Sequence, residues 1–103
     1  MDLIEAVINQ DIEQVKLLLE QGADPNVTLD EAEISPLHFA AQNNALEIAE
    51  LLFTSGADLD SETDEGQTPL DVAREFRHDE MIKLLLRLKH KGGDTGISKS
   101  LYS

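Results

Sequence analysis

Three histidines and 21 acidic residues are the side chains of this 103-residue chain that could do chemistry. Histidine is a common metal ligand and general base, and clustered carboxylates can bind a divalent cation. However, His38, His78 and His90 lack the paired spacing that puts two ligands on one helix face, and the chain has no cysteine. The sequence therefore predicts no metal site of the zinc type.

Carboxylates could cluster in two short segments, residues 30–33 and 58–65, which hold three and five acids. An acidic loop suggests calcium, but residues 58–65 lack the alternation, the mid-loop glycine and the terminal bidentate glutamate of an EF-hand. No Ser–His–Asp arrangement and no glycine-rich phosphate loop is recognisable either. We therefore expect no catalytic residues, no metal and no cofactor, and we predict that the chain is not an enzyme.

The net charge of −13 is distributed unevenly. Residues 1–73 contain 17 acids and one base, whereas residues 74–103 contain seven bases and four acids. Such an acidic surface is unsuited to direct nucleic-acid binding and would be repelled by an anionic membrane. It would attract a protein with a basic surface, chiefly by accelerating and orienting association. The alternative is that the acids only keep a small domain in solution.

We expect no signal for export or membrane insertion in this sequence. The first residues have no basic segment followed by an apolar run, and no segment is apolar over the length of a membrane span. With no cysteine for disulfides, we expect a cytoplasmic protein.

Internal repetition indicates which elements position these side chains. Residues 17–26 match residues 51–60 at an offset of 34, and residues 35–40 match residues 68–73 at an offset of 33. Ser-Pro and Thr-Pro at 35–36 and 68–69 are typical helix starts, because the hydroxyl caps a free N–H and proline at the first position loses no hydrogen bond. Gly56 is a typical helix stop.

The unit between these landmarks predicts two short helices. Leu37, Ala40 and Ala41 give the first helix a small apolar face, Asn43-Asn44 breaks it, and residues 46–52 carry a wider apolar stripe. Neither helix is long enough to be stable alone, so neighbouring units must stack to form a core.

These motifs resemble the ankyrin repeat family. The resemblance rests on residues 35–41, residues 68–73 and the two Gly-Ala-Asp corners at 22–24 and 56–58. It implies an all-α solenoid of helix-turn-helix hairpins, near 2–20, 35–55 and 68–89, joined by β-turn-like finger loops. The first and last hairpins resemble capping repeats, so we expect a complete stack. The domain would span residues 1–91, followed by a flexible tail at 92–103 that could instead be a docking peptide.

The sequence departs from the family pattern at the fingers. The first finger, residues 27–35, has one residue more than the second, residues 61–68, and has Ala32-Glu33 where Gly66 supplies a turn glycine. We therefore expect a bulged or mobile first finger. The resemblance implies that His38 bonds the loops of adjacent repeats, whereas Asp71 replaces the corresponding histidine.

The resemblance also implies a function, that of a protein–protein interaction module that is a monomer when free. It would act as an adaptor or inhibitor through its finger and inner-helix face. An acidic mimic of nucleic acid that blocks a nucleic-acid-binding protein is the alternative. An enzyme or metal site and a designed scaffold are less favoured. The predicted partner-binding residues are Asp30, Glu31, Glu33, Phe39, Gln42, Asn43, Asp64, Glu65, Gln67, Glu75 and Phe76.

Overall fold

The computed structural model describes residues 2–93, with side-chain burial described as far as His90. Within this range the chain is helical, with a single isolated β-bridge and no strand. The helices are α1 (Leu3–Ile8), α2 (Ile12–Glu20), α3 (Pro36–Gln42), α4 (Leu46–Thr54), α5 (Pro69–Glu75) and α6 (Asp79–Gly93).

The six helices form three antiparallel hairpins that stack side by side. The pairs are α1 with α2, α3 with α4, and α5 with α6. The first helices of the hairpins contact one another as an inner layer, and the second helices form an outer layer. This confirms the all-α solenoid predicted from the repeat.

Side-chain caps begin the inner helices where the sequence predicts them. Ser35 caps α3 by accepting from the backbone N–H of His38, and Thr68 caps α5 by accepting from that of Asp71. In both helices the third residue reaches back to the N–H of the cap, which completes a capping box. Proline follows each cap, so the start of each helix is set by local chemistry.

The turn inside each hairpin is the same in all three. Gln10, Asn44 and Arg77 adopt left-handed backbone conformations, with φ of 56°, 55° and 57°. The next N–H then bonds a carbonyl five residues earlier, as from Ala45 N to Ala40 O at 2.9 Å. This is the Schellman arrangement, which normally favours glycine at the left-handed residue.

Small residues let the inner helices approach closely. Ala40, Ala41 and Ala73 are fully buried, and Leu37 is 1% exposed. The outer helices supply larger groups such as Leu52, which is also fully buried. Burying one such leucine contributes roughly 1.5–3 kcal/mol, so stacking supplies the stability that each short helix lacks.

The last helix is longer than the hairpin that the sequence predicts. α6 extends to Gly93, so the first two residues assigned to the tail are helical. The rest of the predicted tail, residues 94–103, lies outside the described residues.

Candidate protein-binding surface

The first finger is a closed turn. Leu29 and Ile34 form an isolated antiparallel bridge, with Leu29 N donating to Ile34 O at 2.9 Å. Four residues form the tip between them. Two of these, Asp30 and Glu33, have positive φ of 44° and 58°. The Asp30 carboxylate stabilises the tip by accepting from Ala32 N at 2.9 Å.

The second finger has a shorter tip. Thr63 N donates to Gln67 O at 3.0 Å, which leaves three residues between the paired positions. Gly66 takes the left-handed conformation here, with φ of 80°. The extra residue of the first finger therefore lengthens its tip, and Glu33 adopts the backbone conformation that Gly66 adopts in the second.

Hydrogen bonds join the two fingers into one surface. Asp64 N donates to Ala32 O at 2.9 Å, close to the tips. Near the base, the Asn26 side chain donates to Gly56 O at 3.1 Å and accepts from Asp58 N at 2.7 Å. Asn26 was not among the residues predicted from the sequence to bind a partner or to link repeats. The sequence offered one signal for this role: Asn26 lies four residues after Gly22, and the next repeat also has a polar residue, Asp60, four residues after Gly56.

His38 links the two fingers from below. Ser35 N donates to its Nδ1 at 3.2 Å, so the proton resides on Nε2, which lies 2.7 Å from the Gln67 carbonyl oxygen. Burial lowers the pKa of His38, against the opposing effect of ring hydrogen bonds to the Gln67 and Ser61 backbone. The ring is therefore a structural, neutral tie between loops, as the family resemblance implies.

Asp71 makes only one of the two contacts that His38 makes, the one to the backbone of the helix cap. Its carboxylate accepts from Thr68 N at 3.1 Å, as the Nδ1 of His38 accepts from Ser35 N. The hydrogen bonds from the Thr68 backbone and side chain lower the pKa of Asp71, with a smaller effect from Arg74. Asp71 is exposed, and it keeps the capping box but bonds no other loop within residues 2–93.

Most of the predicted partner-binding residues are exposed. Phe39, Asn43 and Gln67 are half-buried. The exposed members are Asp30, Glu31, Glu33, Gln42, Asp64, Glu65, Glu75 and Phe76. The structure thus places the predicted acids in solvent on the fingers and at the end of α5.

The two phenylalanines of this set differ in environment. Phe39 packs against the core, as a contact between repeats would. Phe76 is 46% exposed, and its ring stacks on His78 with centroids 6.0 Å apart. Gln67 donates to the Glu75 carboxylate at 3.1 Å, so a polar contact runs along α5 from the second finger to the residue beside Phe76.

The opposite ends of the inner helices also carry a contact between repeats. His78 Nε2 lies 2.9 Å from the carbonyl oxygen of Gln42, the last residue of α3. Ala45 occupies the equivalent position in the second hairpin and borders an open cleft of about 250 Å³. Neither the hydrogen bond of His78 nor the cleft beside Ala45 was predicted from the sequence.

No group of three His, Asp or Glu side chains is arranged to hold a metal ion in residues 2–93. In the same part of the chain, no helix is both long and apolar enough to cross a membrane.

Stacked helical hairpins with paired finger loops define a helical-repeat protein. Comparison with family models gives the particular family, because the model described as "Ankyrin repeats (3 copies)" matches residues 3–98. The chain belongs to the ankyrin repeat family. Ankyrin repeats are protein–protein interaction modules and are generally non-catalytic.

The curated proteins whose sequences are similar to this chain differ from one another in the functions that their names state. Human "Protein phosphatase 1 regulatory subunit 27" is 43% identical over 70 residues, covering 68% of this chain and 45% of that protein. Human "2-5A-dependent ribonuclease" is 42% identical over 71 residues, covering 69% of this chain and 10% of that protein. "Protein fem-1 homolog C" of Xenopus laevis is 46% identical over 71 residues, covering 69% and 11%. The matches span less than half of these relatives.

Proposed function

We propose that the chain is a binding adaptor or inhibitor that holds a protein with a basic surface against its finger and inner-helix face. The observation that carries this proposal is the one-sided charge of the loops that form the fingers. Residues 22–35 and 56–68 contain nine acids and no lysine or arginine. The tips of both fingers are exposed, and hydrogen bonds hold them together.

The carboxylates at the finger tips are not neutralised by a lysine or arginine among the described residues. The two ion pairs described, Arg87 with Glu50 and Lys89 with Asp60, involve α6 and leave the tip carboxylates Glu31 and Glu65 unpaired among the described residues. Carboxylates arranged in this way would steer a basic protein during diffusion and fix its orientation.

The exposed ring of Phe76 supports an apolar contact next to Glu75, at the end of α5 that lies away from the fingers. A large aromatic group surrounded by polar residues is the usual composition of an interface centre. The complementary partner surface would then be an apolar patch bordered by lysine and arginine. The free chain would be a monomer, since its apolar core is covered by its own hairpins.

Charge reversal on purified complexes tests this proposal. The partner is first recovered by affinity purification from the native cell and identified. Binding is then measured for Glu31→Lys and Glu65→Lys, with Glu47→Lys as a control of equal charge on the exposed side of α4. We expect each finger variant to bind about tenfold or more weakly at low salt, with a slower association rate, and the control to bind normally.

Two outcomes would contradict the proposal. Equal losses in the finger variants and the control would mean that only overall charge matters. A complex insensitive to salt would remove the electrostatic part. The nucleic-acid-mimic alternative predicts in addition that DNA or RNA competes with the chain for the same partner.

A further inference from the structure

The outer helices of the three hairpins can be compared position by position. Asp11 N, Ala45 N and His78 N each donate to the carbonyl five residues earlier, which makes these three residues equivalent. Each of them directly precedes the outer helix of its hairpin. We count positions in α2, α4 and α6 from the first residue of each helix. Residues with the same position number then occupy the same place in each hairpin.

Position 6 of the outer helix faces the preceding hairpin. Its residues are Leu17, Leu51 and Leu84. Leu84 is 4% exposed and Leu51 is half-buried, whereas Leu17 is 45% exposed. Only Leu17 has no hairpin before it in residues 2–93. Its exposure therefore results from its place at the beginning of the stack.

Position 8 faces the following hairpin. Leu19 and Phe53 are half-buried there and pack against the core, whereas Leu86 is 44% exposed and has no hairpin after it in the described part of the chain. The two positions meet between neighbouring hairpins, since Leu19 and Leu51 line one shallow groove between α2 and α4. Each end of the stack thus presents one half of an apolar contact that is completed inside it.

Positions 5 and 9 meet in the same way. Glu50, at position 5 of α4, pairs with Arg87, at position 9 of α6, at 3.3 Å. Lys16 and Thr54, at the same two positions one hairpin earlier, line the groove between α2 and α4. Position 5 of one hairpin therefore lies beside position 9 of the next.

The two ends of the stack carry the two halves of a charged pair at these positions. Lys83 is at position 5 of the last hairpin and Glu20 is at position 9 of the first. Both are exposed, and the ion pairs within residues 2–90 involve neither. The wider charge agrees, because residues 2–20 contain five acids and one base, whereas residues 81–91 contain four bases and no acid. The first hairpin of a second copy therefore complements the last hairpin in both apolar contact and charge.

We propose that copies of this chain associate head to tail, with the first hairpin of one copy continuing the helical stack of another. Leu17 of the added copy packs on Leu86, and its Glu20 pairs with Lys83. Because the contact joins two different surfaces, it does not close after two copies and extends to longer assemblies as the concentration rises.

The contact is weak. Arg74 follows Ala73 on α5 as the fully buried Val7 and Ala41 follow the equivalent alanines in the first two hairpins, so its charged side chain keeps the inner helices of two copies apart. Only one hairpin end is covered, so we expect half-association on the order of 0.1–1 mM. At micromolar concentrations the free chain is then a monomer, and the association does not depend on the proposed function.

Sedimentation equilibrium of the full chain tests the association. At about 0.15 M NaCl the repulsion between net charges is screened more than a pair in contact is. We expect the weight-average mass to rise from the monomer value by about half or more as the concentration is raised from about 10 µM to about 1 mM. Leu17→Gln and Leu86→Gln keep the charge and a good helix former, and each should weaken association several-fold. Leu46→Gln, on the middle hairpin, is the matched control and should associate normally.

A mixture of the two end variants tests the direction of the contact. Leu17→Gln retains an intact last hairpin and Leu86→Gln retains an intact first hairpin, so one good junction can form between them. We expect the mixture to form heterodimers that do not grow further, at concentrations where each variant alone is a monomer.

A charge exchange tests the pairing of positions. Glu20→Lys and Lys83→Glu should each weaken association several-fold, because each places like charges at the junction. The double variant re-forms the pair with opposite signs and keeps the net charge of the chain, so it should associate as the unaltered chain does. Thermal melts of every variant check that each one is folded.

Three outcomes would overturn the proposal. One is a mass that stays at the monomer value up to about 1 mM. Another is weakening in Leu86→Gln without weakening in Leu17→Gln, because a symmetric contact between two last hairpins does not need Leu17. The third is a double charge variant that associates no better than the single ones. None of these outcomes bears on partner binding through the fingers, which is measured at micromolar concentrations.

Discussion

His38 shows how one side chain couples the charge of a residue to the stability of the fold. Burial disfavours the charged form of this ring, and its Nδ1 can accept from Ser35 N only while the ring is neutral, whereas its Nε2 proton points at Gln67 O. Burial lowers the pKa of His38 below its value of 6.5 in the unfolded chain. As pH falls, the unfolded chain therefore binds a proton before the folded one does.

This predicts a specific pH dependence. The contribution of His38 to the free energy of unfolding is full above about pH 6.5 and is lost as pH falls from there through the lower folded pKa. We expect His38→Gln to cost about 1–3 kcal/mol at pH 8, through the lost buried bonds. Urea denaturation of the unaltered chain and of His38→Gln between pH 8 and pH 5 should show that the difference in their free energies of unfolding shrinks toward pH 5. A constant difference would contradict the neutral-ring assignment.

Glu33 carries a backbone cost that the second finger avoids. Its φ is 58°, where a side chain is disfavoured, and Gly66 takes the corresponding conformation in the next finger. We expect Glu33→Gly to raise the free energy of unfolding by about 0.5–1 kcal/mol, the lost strain being partly offset by the entropy of glycine. Glu33→Gln is the control, because it removes the same charge and keeps the strain. Equal gains in both variants would assign the effect to charge.

At the scale of elements, each inner helix begins by the same device. Thr68 Oγ1 accepts from Asp71 N at 3.1 Å, and the Asp71 carboxylate accepts from Thr68 N at the same distance. We expect Thr68→Val, which is nearly isosteric, to cost about 1 kcal/mol, since the hydroxyl that caps α5 is gone. Thr68→Ser should lose clearly less. Urea titration measures both, and equal losses would point to packing instead of capping.

The local chemistry of helix starts and stops explains how much of the fold was predictable. Ser35-Pro36, Thr68-Pro69 and Gly56 are signals of single residues on their own backbone, and the structure confirms each. The left-handed turns at Gln10 and Arg77 carry no such signal, because neither residue favours that conformation. There, packing of the hairpins overrides local preference.

The candidate surfaces were predictable to different degrees for the same reason. The finger acids are exposed as a consequence of loop position, which the repeat fixes. The cleft borders Ala45, which stands where the next hairpin has the larger side chain of His78. It becomes apparent only when the packing between the first and second hairpins is compared with that between the second and third. Asn26 likewise acts across repeats, through Gly56 and Asp58, so its role follows from stacking and not from its neighbours in sequence.

At the scale of the whole molecule, the acidic charge opposes folding. The 17 acids among residues 1–73 face one base, Lys16, and the two described ion pairs draw their cations from α6. Compact packing brings these acids closer together than in the unfolded chain, so their repulsion destabilises the fold and salt should relieve it. We therefore expect the melting temperature to rise as NaCl is increased from about 0.02 to about 0.5 M.

The same measurements can show whether the finger acids serve partner binding or only solubility. If they serve partner binding, Glu31→Lys and Glu65→Lys should weaken the complex while making the free chain more stable and its melting less sensitive to salt. Glu47→Lys should reduce the repulsion similarly without affecting binding. Thermal melts and binding measurements on the same three variants therefore separate the two roles. If the acids serve solubility alone, all three variants would bind alike, since long-range repulsion does not distinguish fingers from outer helices.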